Sequence, residues 1–180
     1  MNNKTKFKLY ISHEQNIPQS SQVGCVKNSE FSCDIVLSNQ WLNERNMREI
    51  CVTQNSHDNQ FMIVINDTML SKLQSGKKEH SFVIYHELGH IINGDFSKEK
   101  VAQASKARIQ ALEQGKVVQV ELDADRFAVK YVGKDAAIKA LKELLATRMH
   151  YDLINGNLGS KKNGLALKEY NLRIEAIQKI

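Results

Sequence analysis

The residues of this 180-residue chain best equipped for chemistry are His86-Glu87-Leu88-Gly89-His90, set inside a helical pattern. Two histidines four apart on a helix project from one face, one turn apart, and can aim their imidazole nitrogens at a single ion. Glu87 is rotated by about 100° from His86. Its carboxylate therefore lies beside that ion, where a general base for an activated water belongs. Two imidazoles leave a borderline-soft cation such as Zn2+ short of at least one protein ligand and one open position. With six histidines in the chain, random order would produce His-Glu-x-x-His roughly 0.01 times. The plainer alternative is two packed histidines with no ion. Against it, a buried helix carrying three ionisable groups needs a reason.

The missing ligand is sought further along, in Glu121-Leu122-Asp123-Ala124-Asp125-Arg126-Phe127-Ala128. On a helix Glu121, Ala124, Asp125 and Ala128 share a face, and the two alanines are small enough for close packing against another helix. Glu121 is then placed as third ligand. Asp125, one turn on, can accept the second N–H of a ligand histidine and fix its tautomer. Asp123 points away. An amphipathic helix with three scattered acids is the alternative, but the apolar flank of Val117, Val118, Val120, Phe127, Val129 and Val132 argues for burial. Gly89 would let a neighbouring segment approach the first helix closely.

The elements that must position these groups follow from periodicity. Phe7 to Ile11, Asp34 to Leu37, Glu49 to Thr53 and Gln60 to Asn66 are short and rich in Ile, Val, Phe and Tyr, as strands are. Ser12 to Asn28 is polar, holds the one proline, and reads as a surface loop. From Glu79 the pattern becomes helical, with Asn93-Gly94, Gly115 and Gly133 as stops between successive helices. The third helix is placed at about 116–132, the fourth at about 135–150 and the last at about 165–179. Residues 155–164, rich in Gly, Asn and Lys, read as a flexible loop. The expectation is an α+β fold in one domain over residues 1–180, with a small mixed β-sheet in a strand-rich part, 1–78, and a helical part, 79–180.

Composition bounds the rest. Hydrophobic residues are 42% of the chain, with nine glycines, which excludes collagen, low-complexity disorder and a disulfide-stapled miniprotein. Cys25, Cys33 and Cys51 fit no paired metal spacing and read as thiols in a reducing compartment. No apolar run approaches the ~20 residues of a membrane span, and no signal peptide is read at the N-terminus, so the expected location is cytoplasmic. The net charge of +5 lies in the last 51 residues, spread along amphipathic helix, so solvated helix faces explain it better than nucleic-acid binding does.

His-Glu-Leu-Gly-His followed by Glu-x-x-Ala-Asp-x-x-Ala resembles the gluzincin metallopeptidases, in particular the HtpX-type and minigluzincin group, over residues 82–133. The resemblance implies a zincin-like fold, Zn2+ on His86, His90 and Glu121, Glu87 as general base and acid, and Asp125 behind a ligand histidine. Metzincins are excluded because their further Gly and His would fall on Asn93 and Phe96. HtpX-type enzymes are membrane-embedded, so the chain is similar only to their soluble core, as minigluzincins are. In that group a His often precedes an Arg by six positions. Arg173 fits the Arg, whereas the matching place holds Leu167, which leaves His150, Tyr151 and Arg173 as candidates to stabilise the transition state. The third motif also resembles ImmA/IrrE-type regulators, associated with cleavage of transcriptional repressors, although those usually carry Asn where Asp125 stands.

The expected function is a zinc-dependent metalloendopeptidase acting on a peptide or protein. An extended substrate would pair with an exposed strand edge, for which Phe61, Met62, Ile63, Val64, Ile65 and Asn66 are the nearest strand; as a core strand the same residues need no substrate. The alternatives are a non-catalytic zinc-stabilised module that binds a partner through basic helices, a latent enzyme covered by its last helix, and a protease dedicated to one repressor. The sequence leaves the oligomeric state open.

Overall fold

The computed structural model describes residues 6–44, 49–54 and 60–180. Among these residues it holds a five-stranded mixed sheet and seven helices, strands first, in an α+β arrangement. The chain divides into two compact units, 1–81 and 82–180, close to the point where the hydrophobic period changes from two to 3.6.

The first unit contains β1 (Lys8–Ile11), β2 (Ser21–Lys27), β3 (Ser32–Leu37), β4 (Ile50–Gln54) and β5 (Phe61–Ile65), in the order β1-β2-β3-β5-β4. Among the described strands only the β3–β5 pair is parallel. Its crossover passes through helix α1 (Asn39–Glu44) and β4, since a parallel pair cannot be closed by a tight turn. A second helix, α2 (Asp67–Gln74), follows β5. Val23, Val26, Ile35, Leu37, Leu42, Ile63, Ile65 and Met69 are fully buried in this unit.

Two expectations are corrected here. The Phe61–Ile65 strand is not a substrate edge. It lies between β3 and β4 and is hydrogen-bonded on both sides, so both rows of its backbone groups are spent. Consecutive burial of Ile63, Val64 and Ile65 is what an inner strand requires. Asn66 does not extend the strand; its side chain caps α2 by accepting the Met69 N–H at 2.9 Å. The segment Ser12 to Asn28 is not all loop, because it contains β2, an interior strand. A register shift between Gln22 and Gly24 places the buried Val23 and Val26 three apart, and this bulge breaks the period-two signal.

The second unit holds α3 (Lys78–Ile92) from Phe82 onward, then α4 (Lys98–Glu113), α5 (Gln119–Val132), α6 (Lys134–Ile154) and α7 (Lys161–Gln178). Gly115 and Gly133 stand at the breaks with φ of 70° and 87°, a region open to glycine at no steric cost. Phe82, Ile84, Leu88, Ala124, Ala128, Leu141 and Ile177 are buried. The last helix begins at Lys161, earlier than glycine content suggests. Ser160 caps it by accepting the Asn163 N–H at 3.1 Å, and Asn163 Nδ2 donates to Asp152 at 3.0 Å. Residues 161–164 are thus helix. Among the described residues no helix is long and apolar enough to cross a membrane.

Candidate metal centre

Helix α3 delivers His86, Glu87 and His90, and α5 delivers Glu121 and Asp125. The two helices meet at Gly89. A Cβ built there would sit 2.9 Å from Ala124 Cα and 3.2 Å from Ala124 O, closer than side-chain carbon tolerates. The absence of a side chain at 89 and the single methyl at 124 therefore set how near Glu121 comes to the histidines. His86 Nε2 lies 3.1 Å from His90 Nε2 and 3.5 Å from Glu121 Oε2. The nitrogens of His86 and His90 and the Glu121 oxygen all fall within 4.8 Å of one another.

The other side of each imidazole is held by a carboxylate. His86 Nδ1 is 2.8 Å from Asp125 Oδ1, and His90 Nδ1 is 3.0 Å from Asp95 Oδ2. A ring nitrogen facing a carboxylate carries the proton, which leaves the Nε2 lone pair exposed on the far side. Two such lone pairs aimed at each other, with a carboxylate oxygen beside them, repel unless a cation lies between them. The donor set, two imidazole nitrogens and one carboxylate oxygen, matches a catalytic zinc site.

Electrostatics report the same arrangement in protonic form. Burial would depress the His86 imidazole, but its hydrogen bonds to Asp125 and Glu121 outweigh burial and lift it to about 9. Burial would raise Glu121, yet the His86 hydrogen bond and the Arg173 charge hold it far below the ordinary carboxylate range. Asp125 is likewise held down against its burial by Arg173 and His86. At neutral pH a proton on His86 thus stands where a metal ion would. Glu87 differs from both: burial raises it above the ordinary value despite the two histidines.

Arg173 on α7 is placed beneath the ligands rather than at an open face. Its Nε and Nη2 donate to the two oxygens of Asp125, and Nη1 donates to Glu121 Oε2 at 3.0 Å. All three nitrogens are committed to carboxylates, so Arg173 holds Asp125 and Glu121 in place. His150 and Tyr151 are exposed on α6, and the hydrogen bonds converging on the cluster come from α3, α5, α7 and the turn after α3.

Three contributors escape a reading of the sequence. Asp95 follows the left-handed Gly94, φ 66°. That turn brings the Asp95 N–H to the His90 carbonyl at 3.0 Å and its carboxylate to the same residue's ring. The available signal is an acid just beyond a glycine helix stop. Arg108 on α4 lies 3.8 Å from Glu121 Oε1 through Nη1 and donates to Glu169 Oε2 of α7 through Nε, 3.1 Å, and Nη2, 2.5 Å. No spacing rule connects residues 108 and 169 to the ligands.

Comparison of the chain with protein-family models, curated proteins and solved structures finds no match.

Proposed function

We propose that the chain is a zinc-dependent metallopeptidase with a zincin-like active site of the gluzincin kind, hydrolysing a peptide or protein. The observation that carries this reading is the convergence of two imidazole Nε2 atoms and one carboxylate, each imidazole held from behind by an aspartate. His86, His90 and Glu121 would hold the ion. Zn2+ bound there would supply Lewis acidity, lowering the pKa of a water toward ~7 and polarising the scissile carbonyl.

The protein's own groups do the rest. Glu87 sits between the two ligand histidines in sequence and takes the proton of the attacking water. Its raised proton affinity, the result of burial, lets it hold that proton and deliver it to the amine nitrogen as the C–N bond breaks. Asp125 and Asp95 hold the two rings in the tautomer that offers Nε2, and Arg173 keeps Asp125 and Glu121 ionised and in place.

The test is elemental analysis of the purified protein and of Glu121→Ala, with a chelator-sensitive peptide-cleavage assay on wild type and Glu87→Gln. One zinc per chain, weakened by Glu121→Ala, and cleavage lost in Glu87→Gln with zinc retained, is the expected result. Stoichiometric zinc without cleavage would leave a zinc-stabilised binding module in its place.

A further inference from the structure

A metallopeptidase of this design needs a group that stabilises the negative charge developing on the scissile carbonyl oxygen. Of the three candidates read from the sequence, Arg173 is consumed by Asp125 and Glu121, and His150 and Tyr151 are exposed on α6. Leu167 occupies the place of the histidine expected from the resemblance.

We propose that Arg108 is that donor, held ready by Glu169; the inference rests on the peptidase reading above. Arg108 is anchored along one edge only. Its Nε and one Nη2 proton go to Glu169 Oε2, and Nη1 ends 3.8 Å from Glu121 Oε1. That separation is beyond hydrogen-bond range, so both Nη1 protons and the second Nη2 proton are unspent beside the ligand cluster. The Arg108 side chain is 50% exposed, which makes those protons accessible to a substrate.

Ligand positioning does not account for Arg108. Glu121 Oε2 already receives a hydrogen bond from the buried Arg173 at 3.0 Å, and Arg108 adds none. Glu169 makes the stronger argument. It is 3% exposed, and its Oε1 is buried without a hydrogen-bond partner. A buried carboxylate oxygen left without a partner is costly, and a carboxylate put there solely to stabilise the fold would be expected to satisfy both oxygens. What Glu169 achieves is to grip the back edge of a half-exposed guanidinium and fix the direction of its front edge. A preorganised donor of that kind costs no reorganisation when charge develops on the carbonyl oxygen.

The test uses zinc-loaded wild type, Arg108→Met, Arg108→Lys and Glu169→Gln. Four readouts are compared: kcat and KM on a fluorogenic peptide, zinc content, affinity for a phosphinic pseudopeptide that mimics the tetrahedral anion, and affinity for an uncleaved N-methyl peptide of the same sequence. Removing one such donor lowers kcat by about 10²-fold or more. The expected result for Arg108→Met is a loss of that order in kcat and in phosphinate affinity. KM, N-methyl peptide affinity and zinc content should hold, with partial rescue by Arg108→Lys and an intermediate loss in Glu169→Gln. If Arg108→Met does not fold, the lysine and glutamine variants carry the same comparison. Unchanged kcat and phosphinate affinity would overturn the proposal while leaving the peptidase reading intact. Loss of zinc in step with kcat would overturn it too, by making Arg108 a support for the metal. A wild type that binds zinc but neither cleaves peptide nor binds the phosphinate would overturn the peptidase reading, and this inference with it.

Discussion

The Arg173 guanidinium takes both oxygens of Asp125, Nε at 2.7 Å and Nη2 at 2.6 Å, with side-chain exposures of 6% and 0%. A planar, two-point pair of this kind fixes orientation as well as charge. Asp125 in turn faces His86 Nδ1, so the direction of a ligand imidazole on α3 is set by an arginine on α7.

Breaking that pair is expected to be expensive. Arg173→Met leaves the buried Asp125 and Glu121 with His86 as their remaining cationic partner, a loss of about 3 kcal/mol. Urea denaturation of the metal-free protein measures it. A loss below about 1 kcal/mol would show that Arg173 is not what stabilises the two carboxylates.

Asp95 lies nearer the surface, with 13% side-chain exposure and Lys100 as a second partner at 3.2 Å. Asp95→Ala should therefore leave stability nearly unchanged. It should weaken zinc about 10–100-fold, the usual effect of removing a carboxylate behind a ligand histidine. Competition with a chromogenic chelator reads this directly, and unaltered affinity would remove Asp95 from the centre.

The metal-free protein should respond to pH through His86. Its pKa is raised on folding from 6.5 to about 9, so its contribution to stability is complete below 6.5 and is lost as pH rises through 9. Glu121 and Asp125 are depressed; their contribution is complete above the ordinary carboxylate range and is lost as pH falls through their lowered values. Stability without metal should therefore peak between about pH 5 and 6.5. Zinc must displace the His86 proton, so binding should release about one proton at pH 7 and tighten about tenfold per pH unit toward 9. Calorimetry in buffers of different ionisation enthalpy counts that proton. Binding with no proton release would place the metal elsewhere.

Gly89→Ala sets two effects against each other. Alanine in a helix interior gains about 0.5–1 kcal/mol over glycine, whereas its Cβ would stand 2.9 Å from the Ala124 backbone, overpacking that costs about 1–3 kcal/mol. Backbone cannot swing aside as a side chain can, so the net change should be destabilising by about 1–2 kcal/mol, with weakened zinc binding. Thermal unfolding with and without Zn2+ tests both, and a stabilised variant would show that α3 and α5 are not in contact there.

The ligand side of this centre is legible in the sequence because helical spacing alone brings His86, His90, Glu121 and Asp125 onto facing stripes, and because Gly89, Ala124 and Ala128 announce a close helix contact. Asp95 is less so, since its placement depends on one left-handed glycine turn. Arg108 and Glu169 are not legible at all: they meet through helix packing at a separation of 61 residues that no periodicity encodes. In the sheet, the apolar strands are visible by composition, but β2 is hidden by its bulge. The unbroken apolar run of β5 marks an inner strand, the core reading that stood beside the substrate edge.

The contact between Gly89 and Ala124 also bears on which ion is admitted. The gap between the histidine-bearing and glutamate-bearing helices is set where main chain meets main chain, with no rotamer to adjust it. A hard cation such as Ca2+, which demands six or more oxygens, would find one carboxylate and two imidazoles there. The separation of the donor atoms is thus a property of the backbone, fixed before any side chain is oriented.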